Sequence, residues 1–286
     1  MQPPIILIGT HRSGTTWIAS ILAQHSSLAY WSEPKYVWSW GNNYKKDDVL
    51  TPEDLSPKIN HHIKKRFQVF LETQGKDRLL EKTPSNCLRL KFIQAVFPNA
   101  KILHVIRDGR SVFKSTDAIR RSGFFRQDVL SRRLHEMLVE TPPYEWPAYI
   151  PQVSQILISK IRHKPLSFWG PRPPGWQDWL KYNSPNVVLA KQWVGTIDRA
   201  VRDSFYIPLE NYFRFYYEDL VADPEKWLGK ILDFACLSKE ESLFETAKRT
   251  SSSYAHTSWH EVLLPELLSE VQPILEPTLR DLGYEW

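Results

Sequence analysis

The stretch Gly9-Thr10-His11-Arg12-Ser13-Gly14-Thr15-Thr16 sets a cation and several hydroxyl side chains around two glycines five positions apart. Between a strand and a helix, such a loop aims backbone N–H groups and a helix N-terminus at one point, where a phosphate fits. A loop that serves a nucleoside triphosphatase places a Lys after its second glycine to reach the outer phosphates. Here that position is Thr15, and the cation is Arg12, inside the loop. The pattern argues for an anion site and against a nucleoside triphosphatase. A second constellation, His104-Val105-Ile106-Arg107-Asp108-Gly109-Arg110-Ser111-Val112-Phe113-Lys114-Ser115, ends an apolar run on Arg107 and brings Ser115 eight positions later. The planar guanidinium suits phosphate oxygens, and a hydroxyl two helical turns on can add a contact.

These residues need strands that end where they begin. Ile5 to Ile8 is an unbroken apolar run, and Trp17, Ile18, Ile21 and Leu22 follow the loop at helical spacing, which predicts strand, turn and helix. Leu79-Leu80 reads as a short buried strand, and Pro84-Ser85-Asn86 opens a helical pattern through Leu90, Ile93 and Phe97 that Pro98 stops. Lys101 to Ile106 predicts a third strand, which Asp108-Gly109 turns into a helix carrying Val112 and Phe113. From about 124 to 184 the chain turns Pro- and Trp-rich, with Trp146, Trp169, Trp176 and Trp179, and reads as a helical insertion over the active-site face. A helix over Gln192 to Ser204, a strand over Phe213 to Tyr217 and a helix from Pro224 to Ala235 follow, the last with Asp223 as N-cap and Pro224 at its first position. A final amphipathic helix lies within Pro265 to Leu282, with Pro273 and Pro277 as the places where it would break. The alternation predicts an α/β fold, a P-loop-type parallel sheet flanked by helices with ligand chemistry at the strand C-terminal ends. We expect one domain over 1–286, with the 124–184 insertion as an acceptor-site lid.

Arg12-Ser13-Gly14-Thr15-Thr16-Trp17 resembles the phosphosulfate loop of sulfotransferases that use 3′-phosphoadenosine-5′-phosphosulfate (PAPS), of the Golgi and bacterial type. The segment 104–115 is similar to that family's 3′-phosphate motif, with Arg107 and Ser115 at the contacting positions. Tyr217-Glu218-Asp219-Leu220-Val221, then Asp223-Pro224-Glu225, and the terminal Leu282-Gly283-Tyr284 resemble later family segments, so the likeness spans nearly the whole chain. It implies in-line transfer of a sulfuryl group from PAPS to an acceptor hydroxyl, leaving 3′-phosphoadenosine-5′-phosphate (PAP), with no metal required. It also implies donor binding by Arg12, Ser13, Gly14, Thr15 and Thr16, with Arg12 and Lys82 at the reaction centre. Glu33, in Trp31-Ser32-Glu33-Pro34, matches by its distance from the loop the family's Glu general base; the competing reading is a turn carboxylate before Pro34. Cytosolic members use a His instead, which makes His104 the second candidate, set against its reading as a core histidine. Trp17 stands where those members stack adenine and fits a buried helix aromatic equally well. Arg249 and Ser251 to Ser253 would form a loop closing on the 3′-phosphate, although the family's Arg-Lys-Gly pattern is absent there. The acidic residues of 218–225 read as turn and cap groups.

With 42% hydrophobic and 24% charged residues, 21 Pro and 11 Gly in 286, the composition is that of a globular chain and excludes disorder and collagen. A net charge of +5 favours an anionic small ligand at least as well as nucleic acid. Cys87 and Cys236 alone exclude a disulfide framework, and no Cys or His spacing suits structural zinc. No apolar run approaches a membrane span. The default is a cytoplasmic protein; the alternative is a lumenal catalytic domain of a longer, membrane-anchored chain. A kinase on this architecture would need the loop Lys and a carboxylate for Mg²⁺ near Thr16. A non-catalytic PAP-binding module would dispense with Glu33 and Lys82. Nucleic-acid binding would use Arg120, Arg121, Arg126, Arg132 and Arg133, which read more simply as an exposed helical face or acceptor-site rim. Trp31, Trp38 and Trp40, together with the Trp-rich insertion, offer rings to stack a sugar or an aromatic acceptor, with core packing as the competing reading for half of them. A carbohydrate or another hydroxylated metabolite is favoured; a phenol, a lipid hydroxyl and a peptide tyrosine stay open.

Overall fold

The computed structural model describes residues 2–122, 170–254 and 265–286, together with Pro143, Trp146, Pro147, Ile150 and Ser154. Five parallel strands form one sheet in the order β2-β3-β1-β4-β5: β1 Ile5–Ile8, β2 Leu28–Ser32, β3 Arg78–Lys82, β4 Lys101–Ile106 and β5 Tyr212–Tyr216. The central strand is β1, with Ile5 opposite both Leu80 and Lys101. Buried on both faces, it needs an unbroken apolar run, and Ile5-Ile6-Leu7-Ile8 supplies one. Its side chains alternate: Ile6 and Ile8 enter one core layer, Ile5 and Leu7 the other.

One layer is closed by α2 Lys35–Ser39, α3 Pro57–Gln74 and α4 Leu90–Val96. The other is closed by α1 Thr15–Leu22, α8 Tyr217–Ala222, α9 Pro224–Ala235 and α10 Glu241–Tyr254. A third cluster joins α5 Gly109–Ser122, α7 Pro185–Ser204 and α11 Pro265–Asp281; α6 Trp176–Tyr182 packs on α7. Each fully buried aliphatic side chain contributes about 1.5–3 kcal/mol.

The expected strands 101–106 and 5–8 and the helix 224–235 are present with those bounds, and Asp223 accepts from Lys226 N as its cap. Other readings change. The stretch from Pro84 is a 3-10 turn over Pro84–Leu88, and α4 starts after Arg89, whose φ of −144° breaks the helix. Tyr217 opens α8 rather than ending β5, and α7 begins at Pro185, capped by Ser184. Pro273 and Pro277 do not break α11: both are exposed, so water satisfies the carbonyls they leave unbonded, while Val271, Leu275 and Leu279 anchor the other face. Arg249 and Ser251 lie inside α10 instead of a loop, because Glu241 to Tyr254 continues as helix over Leu243 and Ala247 in the core. Of the insertion, 123–142 and 155–169, with Trp169, Arg126, Arg132 and Arg133, lie outside the described residues. Among the described residues no helix is long and apolar enough to cross a membrane.

Candidate active site

The strand order reverses direction on either side of β1, and four strands deliver functional side chains at this switch point. The loop 9–14 leaves β1, Glu33 follows β2, Lys82 ends β3 and Arg107 follows β4. Gly9 and Gly14 are required by close approach. A Cβ on Gly9 would lie 2.5 Å from Ser13 Oγ and 2.8 Å from Val105; on Gly14, whose φ is 88°, it would run into the Tyr217 ring. Gly14 caps α1, which opens with Thr15 and Thr16. Ser13 Oγ donates to Thr10 O at 2.6 Å and closes the turn.

Two non-glycine residues of this region have left-handed backbone, Arg12 at φ 65° and Glu33 at φ 55°. Such strain persists where surrounding contacts fix it. Glu33 N donates to Lys82 O at 2.8 Å and Lys35 N to Glu33 O at 2.7 Å, so the backbone holds Glu33 beside the end of β3. The side chains complete the pair: Lys82 Nζ lies 2.8 Å from Glu33 Oε1 and donates to Thr16 Oγ1 at 3.4 Å. Lys82 is buried and Glu33 half-buried. The two phosphate motifs interlock as well. Arg12 Nε donates to Ser115 Oγ at 2.9 Å, Arg107 Nη1 donates to Arg12 O at 2.9 Å, and the Arg107 guanidinium lies 4.2 Å from the Tyr217 ring centre. Thr10 Oγ1 and Arg107 Nε are buried without a hydrogen-bond partner among the described residues. Orphaned donors beside a glycine loop fit a phosphate-bearing ligand.

Arg12, Thr15, Thr16, Glu33 and Lys82 line one cleft of about 130 Å³, with Lys35 and Pro171 on its far wall. A more voluminous groove, about 490 Å³, opens at the opposite, N-terminal rim of the sheet between Pro3 and Pro98. It holds none of these side chains.

His104 is not at a strand end. It sits inside β4, fully buried, with Nδ1 2.5 Å from the Tyr212 hydroxyl, and burial, aided by Arg214, pushes its pKa down to about 3. His11, in the loop, is likewise held neutral, pushed down to about 3 by burial and by Arg12. Trp17 is buried, donating from Nε1 to Thr250 Oγ1 at 2.8 Å and meeting Tyr217 edge-on. Trp31 stacks on Phe70 at 4.2 Å and Trp38 packs edge-on against Phe67, so both belong to the core rather than to an acceptor site. Trp40 stacks on His62. Arg120 and Arg121 are paired with Asp117 along α5. Glu218 is structural, accepting from Asp108 N at 3.0 Å and from the Tyr284 hydroxyl at 2.9 Å.

Glu81 escaped the sequence reading. Wholly buried, it accepts from Trp38 Nε1 at 3.2 Å, Thr83 Oγ1 at 2.5 Å and Asn86 Nδ2 at 2.7 Å, tying the turn after Glu33 to the turn after Lys82. Burial pushes its pKa up to about 7 against these donors and the pull of Arg89 and Lys82. The signal was there: a carboxylate inside the run Leu79-Leu80-Glu81 is an expensive choice for a buried strand.

The family model described as "Sulfotransferase family" matches residues 3–140, a span that contains the loop, Glu33, Lys82 and Arg107. The match covers just under half of the chain. A Caenorhabditis briggsae protein provisionally named a protein-tyrosine sulfotransferase is 30% identical over 118 residues, 39% of this chain and 41% of that protein. The chain thus spans about two-fifths of the length of that curated relative. Beyond the matched segment the likeness is one of fold. The sulfotransferase domain from the curacin biosynthetic pathway has a TM-score of 0.58 at 18% identity, covering 99% of this chain and 98% of its own. The sulfotransferase domain of the Synechococcus PCC 7002 olefin synthase has a TM-score of 0.54 at 17% identity, covering 100% and 96%. The sulfotransferase fold therefore runs through the described residues on both sides of the insertion.

Proposed function

We propose that the chain moves a sulfuryl group from PAPS to the hydroxyl of a carbohydrate or another hydroxylated metabolite, with Glu33 as general base. The observation that carries this reading is the Glu33–Lys82 pair at 2.8 Å, set with Arg12 and Thr16 around one cleft at the switch point of the sheet. PAPS would supply an activated sulfur whose bond to the 5′-phosphate oxygen breaks as the bond to the acceptor oxygen forms. Loop N–H groups, Ser13, Thr15 and Thr16 hold the 5′-phosphate, and Arg107 and Ser115 the 3′-phosphate; Trp17 lies on the adenine side. Glu33 takes the acceptor proton. Once protonated, it no longer holds Lys82 as an ion partner, so the ammonium is released toward the leaving phosphate oxygen at the moment charge develops there. Arg12 supplies a second cation on the loop side. No step asks for a metal.

Thr15 in place of a loop Lys speaks against phosphoryl transfer from ATP. Cys87 and Cys236 are both free thiols, which supports a reducing, cytoplasmic setting. On this reading the whole chain acts as one domain, with the 124–184 insertion as its acceptor-side lid. Incubation with PAPS and a panel of sugars, phenols and other alcohols should release PAP and form a sulfate ester. Release of ADP from ATP and Mg²⁺ under the same conditions, with no PAP from PAPS, would replace the reading with a kinase.

A further inference from the structure

Beyond the reaction cleft lies a second cavity of about 410 Å³, and the same two segments form both. Glu33 and Lys35 face the first cavity while Asn42 to Asp48 line the second; opposite them, Pro171 lines the first while Arg172 and Trp176 line the second. The boundary is a charged bridge. Asp48 accepts from Lys35 Nζ at 2.8 Å, from Arg172 N at 3.0 Å and from Arg172 Nη2 at 2.9 Å, and Asp48 N donates back to Arg172 O at 2.9 Å.

Positive charge exceeds negative around this bridge. Asp48 is shared by Lys35 and Arg172 and feels Arg89 as a third cation, which together hold its carboxyl well below the usual range against its burial. Arg89 is 1% exposed, its hydrogen bonds go from Nε to Ser85 O at 3.3 Å and from Nη2 to Ser85 Oγ at 2.9 Å, and Nη1 has no acceptor among the described residues. Asp48 and Glu81 are the carboxylates near enough to offset this charge, but neither bonds the guanidinium, so Nη1 keeps a buried donor that an anion could satisfy. Lys46 adds a further cation to the wall and Asp47 a carboxylate, while Lys45 is spent on Asp54, so Arg89, Arg172 and Lys46 still outnumber Asp47 and Asp48.

We propose that this second cavity seats the body of the acceptor and selects acceptors bearing a carboxylate, held in the field of Arg89, Arg172 and Lys46 while the hydroxyl reaches Glu33. The inference deepens the sulfotransferase reading and rests on it for the hydroxyl's fate, but the anion preference has its own readout. Two sources of the anion are separated by two matched pairs: 4-hydroxyphenylacetate against 4-hydroxyphenethyl alcohol, and glucuronate against glucose.

The test titrates each probe into the protein by calorimetry, with and without PAP, for wild type, Arg172→Gln, Lys46→Gln and Asp48→Asn. We expect the anionic member of at least one pair to bind tenfold or more tighter than its neutral partner. That ratio should fall at least threefold in Arg172→Gln and Lys46→Gln and rise in Asp48→Asn, which removes the competing carboxylate. Equal affinities within both pairs, or a ratio that the two charge-removing variants leave unchanged, would overturn the proposal. Failure to bind PAP with the anion preference intact would instead remove the sulfotransferase reading and leave this site standing.

Discussion

Arg107 illustrates how a single side chain serves the fold and the ligand at once. Its Nη1 bonds Arg12 O and its plane lies over Tyr217, while Nε points to no acceptor among the described residues. Arg107→Ala should weaken PAP by about 1.5–3 kcal/mol, the value of one charge-assisted contact, or about ten- to a hundredfold in Kd by calorimetry. An unchanged Kd in a folded variant would remove Arg107 from the donor site. Glu81 makes the opposite kind of statement, since it lines no cleft described above and ties the segment after Glu33 to the turn after Lys82. Its carboxyl is raised to about 7, so between about pH 4.5 and 7 the folded chain binds more protons than the unfolded one and stability falls as pH rises. Glu81→Gln keeps an acceptor for Trp38 and Thr83 but turns an N–H₂ toward Asn86, at a cost of about 1–3 kcal/mol. The melting-temperature gap between wild type and Glu81→Gln should therefore be widest near pH 5 and narrow toward pH 8. A gap that widens with pH would mean the carboxylate is favoured where it sits.

At the scale of elements, the strand–loop–helix unit 5–22 forms the proposed anion site, and Gly14 is its pivot. Any Cβ there meets Tyr217 and must hold φ near 88°. Gly14→Ala should lower stability by about 1–3 kcal/mol and weaken PAP at least tenfold, measured by melting and calorimetry. Normal PAP affinity would show that the loop can bind without this turn. This unit was the most legible part of the chain, because a fully buried parallel strand forces an unbroken apolar run and the turn forces glycine. The edge strand β2 was not: Leu28-Ala29-Tyr30-Trp31-Ser32 mixes buried and exposed positions, so no clean period marks it. The helix α3 has a local signal in Ser56-Pro57 and in apolar residues at 59, 63, 67 and 71, though its other face is strongly polar. Glu33 could be chosen by its distance from the loop, but its ion pair with Lys82 depends on β2 and β3 lying side by side, a long-range pairing that no local pattern encodes. The Asp48–Arg172 bridge, joining residues more than a hundred positions apart, was invisible for the same reason.

For the whole molecule, one parallel sheet gathers the proposed donor site, base and acceptor cavity along its C-terminal rim. A ligand that binds the folded state alone raises stability by mass action, about 2.7 kcal/mol at a hundredfold excess over Kd. PAP should therefore raise the melting temperature by several degrees, while ATP with Mg²⁺ should not; the reverse order would favour phosphoryl chemistry. More specific than binding is the proposed role of Glu33 as the group that takes the acceptor proton. It is tested by PAPS turnover of Glu33→Gln, a change that keeps the size of the side chain and removes its proton affinity, with PAP affinity measured on the same sample. Turnover should drop about 10²- to 10⁴-fold with PAP affinity unchanged. Near-normal turnover in that variant would contradict that role.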